Sequence, residues 1–166
     1  MDSAELKAAQ APLKERYRTE PARALVTLRA EGALGEESVS CSVSTGRALV
    51  EAGLHPATGG TGLLACSGDM LLEALVACAG VTLCAVATSL GLDVGGTVSA
   101  EGDLDFRGTL GVAKGEDVPV GFRSIRLRFE LEHEEDEAAI AKLLELTERY
   151  CVVFQTLAGG VPVTLS

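Results

Sequence analysis

The chain has 166 residues, 47% of them apolar and 23% charged, with a formal net charge of −10. That apolar share suits one compact domain with a substantial core, and the surplus of acid opposes a nucleic-acid role, because phosphate binding draws its affinity from clustered Lys and Arg. With no Trp and only 4% aromatic residues, base-stacking platforms and aromatic cages lose their material as well.

The opening stretch Met1–Arg18 is charged and carries no apolar run of the kind a secretory signal needs, which points to a cytoplasmic protein. Residues 4–18 have helix-forming composition punctuated by Pro12 and Pro21, so 1–21 are expected to form an N-terminal arm and 22–166 a single domain. From Ala22 to Ala30 the even positions are apolar, which is strand alternation. A turn is expected over Gly32–Glu37. Val39, Cys41 and Val43 then alternate with serines as a second strand, and Ala48–Ala52 suits a third.

The stretch His55-Pro56-Ala57-Thr58-Gly59-Gly60-Thr61-Gly62 is a loop by its glycine content and matches neither phosphate-cradling glycine motif. Met70–Leu90 follows as a helix apolar nearly all round, interrupted by Glu73, Thr82, Thr88 and Ser89. Ser67 suits its N-cap, and Asp69 in the first turn favours the positive end of the helix dipole. About 20 such residues are enough to cross a bilayer. Half-buried strands on both sides, Glu73 within and flanks without Lys or Arg favour a central helix wrapped by sheets instead.

After Gly91, Val94 to Phe106 alternate as a long strand. Residues 107–120 read as a loop, and Ile125, Leu127, Phe129 and Leu131 mark another strand. Asp136 suits the N-cap of an amphipathic helix with Ala139, Ile140, Leu143, Leu144 and Leu146 on its apolar stripe, ending near Cys151. Gly159-Gly160 then turns into a short strand, Val161–Leu165. Three strands, a buried helix, two strands, a helix and a strand make an α+β fold with largely antiparallel sheet.

Metal and triad chemistry have little to work with. There is no CxxC or HExxH, His55 and His133 are the only histidines, and no GxSxG marks a serine nucleophile. The run Glu130, Glu132, Glu134, Glu135, Asp136, Glu137 spans a strand end and a helix start and reads as solvated surface. Five cysteines are the better lead, and their odd number argues against a structural disulfide framework. A rise of about 1.5 Å per residue separates Cys78 from Cys66 by roughly 18 Å and from Cys84 by roughly 9 Å along one helix, beyond the roughly 7 Å limit for a disulfide. Cys41 and Cys151 remain as partners. Cys41, in register with Val39 and Val43, suits a core position, whereas Cys151 follows the exposed-looking Thr147-Glu148-Arg149.

Two stretches carry a family likeness. Gly68-Asp69-Met70-Leu71-Leu72-Glu73-Ala74-Leu75-Val76-Ala77-Cys78-Ala79-Gly80-Val81-Thr82-Leu83 resembles the leucine-rich central helix of the OsmC/Ohr superfamily, the osmotically inducible and organic hydroperoxide resistance proteins. Glu148-Arg149-Tyr150-Cys151-Val152-Val153-Phe154-Gln155-Thr156-Leu157 resembles its second cysteine motif. The spacing between them and the strands after the first motif agree, and the likeness covers Ala22 to Ser166.

The resemblance implies an intertwined homodimer in which antiparallel sheets wrap buried central helices, with thiol sites at the interface. It implies a cysteine-based peroxidase of oxidative-stress defence, with Cys78 peroxidatic and Cys151 resolving. An external dithiol or lipoyl-type reductant would reopen the Cys78–Cys151 disulfide, with no cofactor. Asp69 is the candidate orienting acid, and Arg29 or Arg47 the candidate thiolate activator. Three departures stand out: Val152 occupies the place where many members have Pro, Asp69 is one carbon shorter than the usual Glu, and no arginine motif is legible. The alternative is a small-molecule binding or sensing member without turnover.

Overall fold

The computed structural model of the chain describes residues 2, 4, 5, 8, 11, 31–34, 40–44, 49–111 and 118–165. The strand expected over Ala22–Ala30 lies outside them. In the arm, Ala4, Glu5, Ala8 and Ala11 are helical. Asp2 and Glu5 exchange hydrogen bonds of the capping-box type, each backbone N–H donating to the other's carboxylate at 2.9 and 2.8 Å.

The described chain forms two compact units. One is built from the described residues of the arm, Leu75–Val98 and 129–165, the other from the strands and loops between 31 and 74 and from Ser99–Arg128. In the second unit, β1 (Glu31–Leu34), β2 (Ser40–Ser44), β3 (Leu49–Gly53) and β4 (Ala65–Cys66) form one sheet in that order. β1 occupies the stretch where a turn was expected from Gly32, and pairs antiparallel with β2 through Gly32↔Val43. β2 pairs antiparallel with β3, and β3 parallel with β4. The parallel return needs a crossover, supplied by 54–64 with a 3₁₀ turn at Pro56–Thr58. His55 caps that turn, its Nδ1 accepting from the Ala57 N–H at 3.0 Å, and its ring stacks on Phe106 at 4.7 Å.

α1 (Ser67–Leu90) follows β4 directly, and Ser67, expected as its cap, is its first helical residue. Gly91 ends it at φ +74, a conformation that costs glycine little, while the Leu92 N–H donates to the Ala87 carbonyl at 3.0 Å. The expectation for this helix was enclosure by sheets from two chains; within this one chain Leu75, Ala79, Leu83 and Ala87 are buried, one residue every four. By length and composition α1 also passes for a membrane span, with mean hydropathy 2.2 in its most apolar stretch.

β5 (Val94–Leu104) pairs with β6 (Phe122–His133). Alternation of half-buried and exposed residues along both strands matches their period-two pattern. Gly96, at φ +116, leaves no room for a side chain, since a Cβ there would lie 2.0 Å from the Glu130 carbonyl oxygen. Further along the ribbon, Arg126 binds Asp103 and Glu101, and the Ser124 hydroxyl donates to Asp103 at 2.7 Å. The guanidinium and hydroxyl beside Asp103 hold its carboxyl well below the usual carboxylate range. A short helix, α2 (Phe106–Thr109), stands inside the stretch expected to be loop.

α3 (Glu137–Tyr150) starts where expected: the Asp136 carboxylate accepts from the Ala139 N–H at 2.7 Å. Its apolar stripe brings Leu143, fully buried, against Leu83 and Ala87 of α1, with Phe129, Leu131, Ile140 and Leu144 packed around them. Each such buried side chain contributes about 1.5–3 kcal/mol. After Cys151 the chain turns helical again as α4 (Val152–Gly159), an element the sequence reading lacked. The strand expected over Val161–Leu165 does not form. Pro162 has no N–H for a ladder, and Val161, Val163 and Leu165 stand exposed.

Candidate active site

Cys151 sits at an elbow. Its N–H closes α3 by donating to the Thr147 carbonyl at 2.9 Å, and its carbonyl opens α4 by accepting from the Gln155 N–H at 2.9 Å. Between these two helical bonds its own backbone is extended, φ −73 and ψ 107. The Gln155 side chain bridges the bend, Nε2 donating to the Glu148 carbonyl at 2.9 Å. Thr147, exposed-looking in the sequence, is buried and turns its hydroxyl onto the Leu143 carbonyl at 2.8 Å. Cys151 is buried with it, at 1% exposure. The expectation that its neighbours leave this thiol accessible is therefore corrected: α3 packs its last turn inward.

Cys78, half-buried in the middle of α1, meets Cys151 thiol to thiol. The structure thus brings together the two cysteines that the resemblance singled out, both as free thiols. The groups near the Cys78 sulfur are the backbone amides of Val153 and Val152, the Cys151 thiol and the Thr82 hydroxyl. Burial by itself pushes the Cys78 thiol up, but these four contacts together outweigh it and bring Cys78 below the ordinary thiol value. Cys151 moves the other way. Burial raises it, and the neighbouring Cys78 raises it further, against the opposing pull of the nearby Phe154 and Val153 amides. The two thiols are therefore pushed in opposite directions, Cys78 being the readier of the two to lose its proton. The more accessible sulfur, Cys78, is also the one pushed toward the thiolate.

The other candidates lie elsewhere or outside the description. Asp69 is nine residues from Cys78 along α1, about 13.5 Å of helical rise, so a direct contact is out of reach. It lines a cavity of about 320 Å³ in its own unit together with His55, Cys66, Leu72, Phe106 and Phe122. Arg29 and Arg47 lie outside the described residues. Cys84 is exposed on α1, and Cys41 is described only as backbone of β2. Among the described residues, no group of three or more His, Cys, Asp and Glu side chains is placed to hold a metal ion.

Sequence reasoning missed Thr82 and the amides of Val152 and Val153. Thr82 carried a signal, since it is four residues after Cys78 and so shares its helix face. The amides carried none, because every residue but proline has one.

A family model described as OsmC-like protein matches residues 60–166. Solved structures with a similar fold include an OsmC-like protein from Mycoplasma pneumoniae, with a TM-score of 0.66 and 18% identity over 81% of this chain and 89% of that one. An organic hydroperoxide resistance protein from Elizabethkingia anophelis matches at a TM-score of 0.59 and 18% identity over 84% and 93%. The organic hydroperoxide resistance protein OhrB of Bacillus subtilis matches at 0.53 and 17% over 84% and 96%. At these identities the likeness is one of fold. No curated protein matches the chain by sequence.

Proposed function

We propose that this chain, which belongs to the OsmC-like protein family, is a cysteine-based peroxidase that reduces organic hydroperoxides to alcohols in oxidative-stress defence. The observation that carries the reading is that Cys78 and Cys151, both free thiols, stand side by side and are pushed in opposite directions of ionisation. The Cys78 thiolate attacks the distal oxygen of ROOH, the O–O bond breaks, and the alkoxide leaves as ROH after taking a proton. Cys78 is left as sulfenic acid. The Cys151 sulfur attacks it, water departs, and a Cys78–Cys151 disulfide closes. An external dithiol, of lipoyl type or another, returns both sulfurs to thiols and is itself oxidised to a disulfide. No cofactor enters this cycle.

Apolar hydroperoxides are the favoured class, because the side chains flanking Cys78 on α1 are aliphatic apart from Thr82. Asp69 as orienting acid and Arg29 or Arg47 as activator belong to the same proposal. Since Asp69 and Cys78 are well separated along α1, an acid there would act through an arginine, in the same or a second chain. The working assembly is an intertwined homodimer, supported by the apolar residues that α1 leaves exposed. A cytoplasmic location fits a cycle that needs a reducing dithiol.

The reading is tested by following loss of a bulky alkyl hydroperoxide and of hydrogen peroxide with a dithiol present. Faster loss of the alkyl substrate, abolished in Cys78→Ser, is expected. Equal loss with wild type and Cys78→Ser overturns it. The second reading, a small-molecule binding or sensing protein without turnover, draws on the cavity beside Asp69. It predicts saturable ligand binding that survives Cys78→Ser.

A further inference from the structure

The cavity beside Asp69 is lined entirely by residues of one compact unit. Its volume of about 320 Å³ is at the small end of the range for pockets that take small molecules, about 300–1,000 Å³. Two glycines in the lining give it its shape. The Phe122 ring lies so close to Gly102 that a Cβ there has no room, whereas a Cβ on Gly68 would stand 3.5 Å from Phe122 and Leu104 and 3.6 Å from the Cys66 sulfur, in ordinary contact. One wall is fixed by its own bonds, since the His55 ring is tied through Nδ1 to the Ala57 N–H at 3.0 Å and stacks on the Phe106 ring at 4.7 Å.

The formal charges in this lining are of one sign. It holds the carboxylates of Asp69 and Asp103, and among the described residues no Lys or Arg lines it. Asp103 is already committed to Arg126 and Ser124. Asp69 makes no ion pair or hydrogen bond among the described residues. It stands in the first turn of α1, where the helix dipole amounts to about half a positive elementary charge, so a full carboxylate leaves the balance negative. Leu72, Leu104 and Phe122 complete an apolar surface next to it.

We propose that this cavity binds a small organic amine, with its ammonium on the Asp69 carboxylate and its aryl or alkyl body against Leu72, Leu104 and Phe122. An ammonium gains a charge-assisted hydrogen bond and the pull of the Phe106 and Phe122 ring faces, whereas an anion meets two acids. The inference gives a ligand class to the second reading above and rests on this cavity being a binding site, but it needs no chemistry at Cys78. An amine and an arginine would compete for Asp69, since one carboxylate cannot hold both in the same place.

Cys66, a half-buried free thiol in the same lining, reports occupancy. The experiment follows its alkylation by iodoacetamide, read by peptide mass spectrometry on the whole reduced protein, with phenethylamine, phenethyl alcohol or hydrocinnamate present. The amine should protect Cys66 saturably at about tenfold lower concentration than the alcohol, and Asp69→Asn should remove that advantage. Hydrocinnamate should not protect, and the exposed Cys84, outside the lining, should alkylate alike throughout. Gly68→Leu should abolish protection, because its side chain enters among Leu104, Phe122 and Cys66. Gly68 has no positive φ and lies in a helix, so the variant should fold.

Equal protection by the amine and either analogue, or amine protection that survives Asp69→Asn, overturns the amine assignment and leaves small-molecule binding standing. Should Cys66 prove inert to the reagent, the Gly68 and Gly102 amide resonances of wild type read the same titration, and resonances that the amine leaves unmoved overturn the assignment. A protein that binds the amine and also turns over alkyl hydroperoxide refutes the reading without turnover and keeps the amine site.

Discussion

The Cys151 thiol, buried at the elbow between α3 and α4, lies beside the half-buried sulfur of Cys78, and the two are pushed in opposite directions of ionisation. Their roles are therefore not interchangeable. Cys78→Ser should abolish the first reduction, whereas Cys151→Ser should still consume one equivalent of alkyl hydroperoxide and then carry Cys78 on to the sulfinic acid, having no thiol to intercept the sulfenic one. Whole-protein mass spectrometry after a stoichiometric pulse and then an excess checks this. Sustained turnover by Cys151→Ser with a dithiol that acts only on disulfides would remove Cys151 from the cycle.

The opposed ionisations also set a pH dependence of stability. Cys78 has its folded value below the ordinary one, so its contribution is complete above the unfolded value of about 8.5 and is lost as pH falls through the folded value. Cys151 has its folded value raised, so its contribution is complete below about 8.5 and is lost as pH rises through the folded value. The stability of reduced wild type relative to the Cys78→Ser, Cys151→Ser double variant should therefore rise from acid pH toward about 8.5 and fall beyond it. Urea unfolding under argon at several pH values measures the difference. A difference that is flat with pH contradicts the opposed ionisations.

The elbow is held by the core beneath it. Leu143 has no exposed surface and packs against Leu83 and Ala87, eight residues before Cys151 on the same helix. Leu143→Ala should cost about 3 kcal/mol, the usual toll of a lost leucine and the cavity it leaves. Asp136→Ala removes only the N-cap bond to Ala139 and should cost about 1 kcal/mol. Thermal unfolding ranks the two, and the larger loss in Asp136→Ala would show that the packing assigned to Leu143 is not what holds α3.

Periodicity made β5, β6 and α3 legible, because each buries one side and its apolar residues recur at the matching interval, while α1 was legible as a long run apolar nearly all round. α4 was hidden: Val152, Val153 and Phe154 are β-branched or aromatic and favour extended chain in isolation. Here Val152 and Val153 open a helix that starts directly after the Cys151 elbow. Val161–Leu165 failed for the complementary reason, since an alternating run becomes a strand only beside a free edge. Of the site, the two cysteines were legible as residue types in a recognisable setting. The donors that tune them were not, since main-chain amides have no signature in sequence.

α1 divides the last prediction between stability and assembly. Leu83 is 5% exposed and lies in the core of its unit, whereas Val81, two residues earlier, is 72% exposed. Leu71, Ala74, Ala77 and Cys84 are exposed with Val81, at intervals of three and four that make a continuous, largely apolar stripe of the kind two helices use as a seam. A chain of this size gains little from leaving such a stripe in water, and two-fold pairing is the commonest way to cover it. Leu83→Glu places an unpaired charge in the core and should unfold the protein. Val81→Glu should leave circular dichroism intact and yield a monomer, because its charge falls only on the seam. Sedimentation equilibrium at low micromolar concentration separates the cases. A folded wild-type monomer contradicts the pairing altogether, and a Val81→Glu protein that remains dimeric places the interface on some other face.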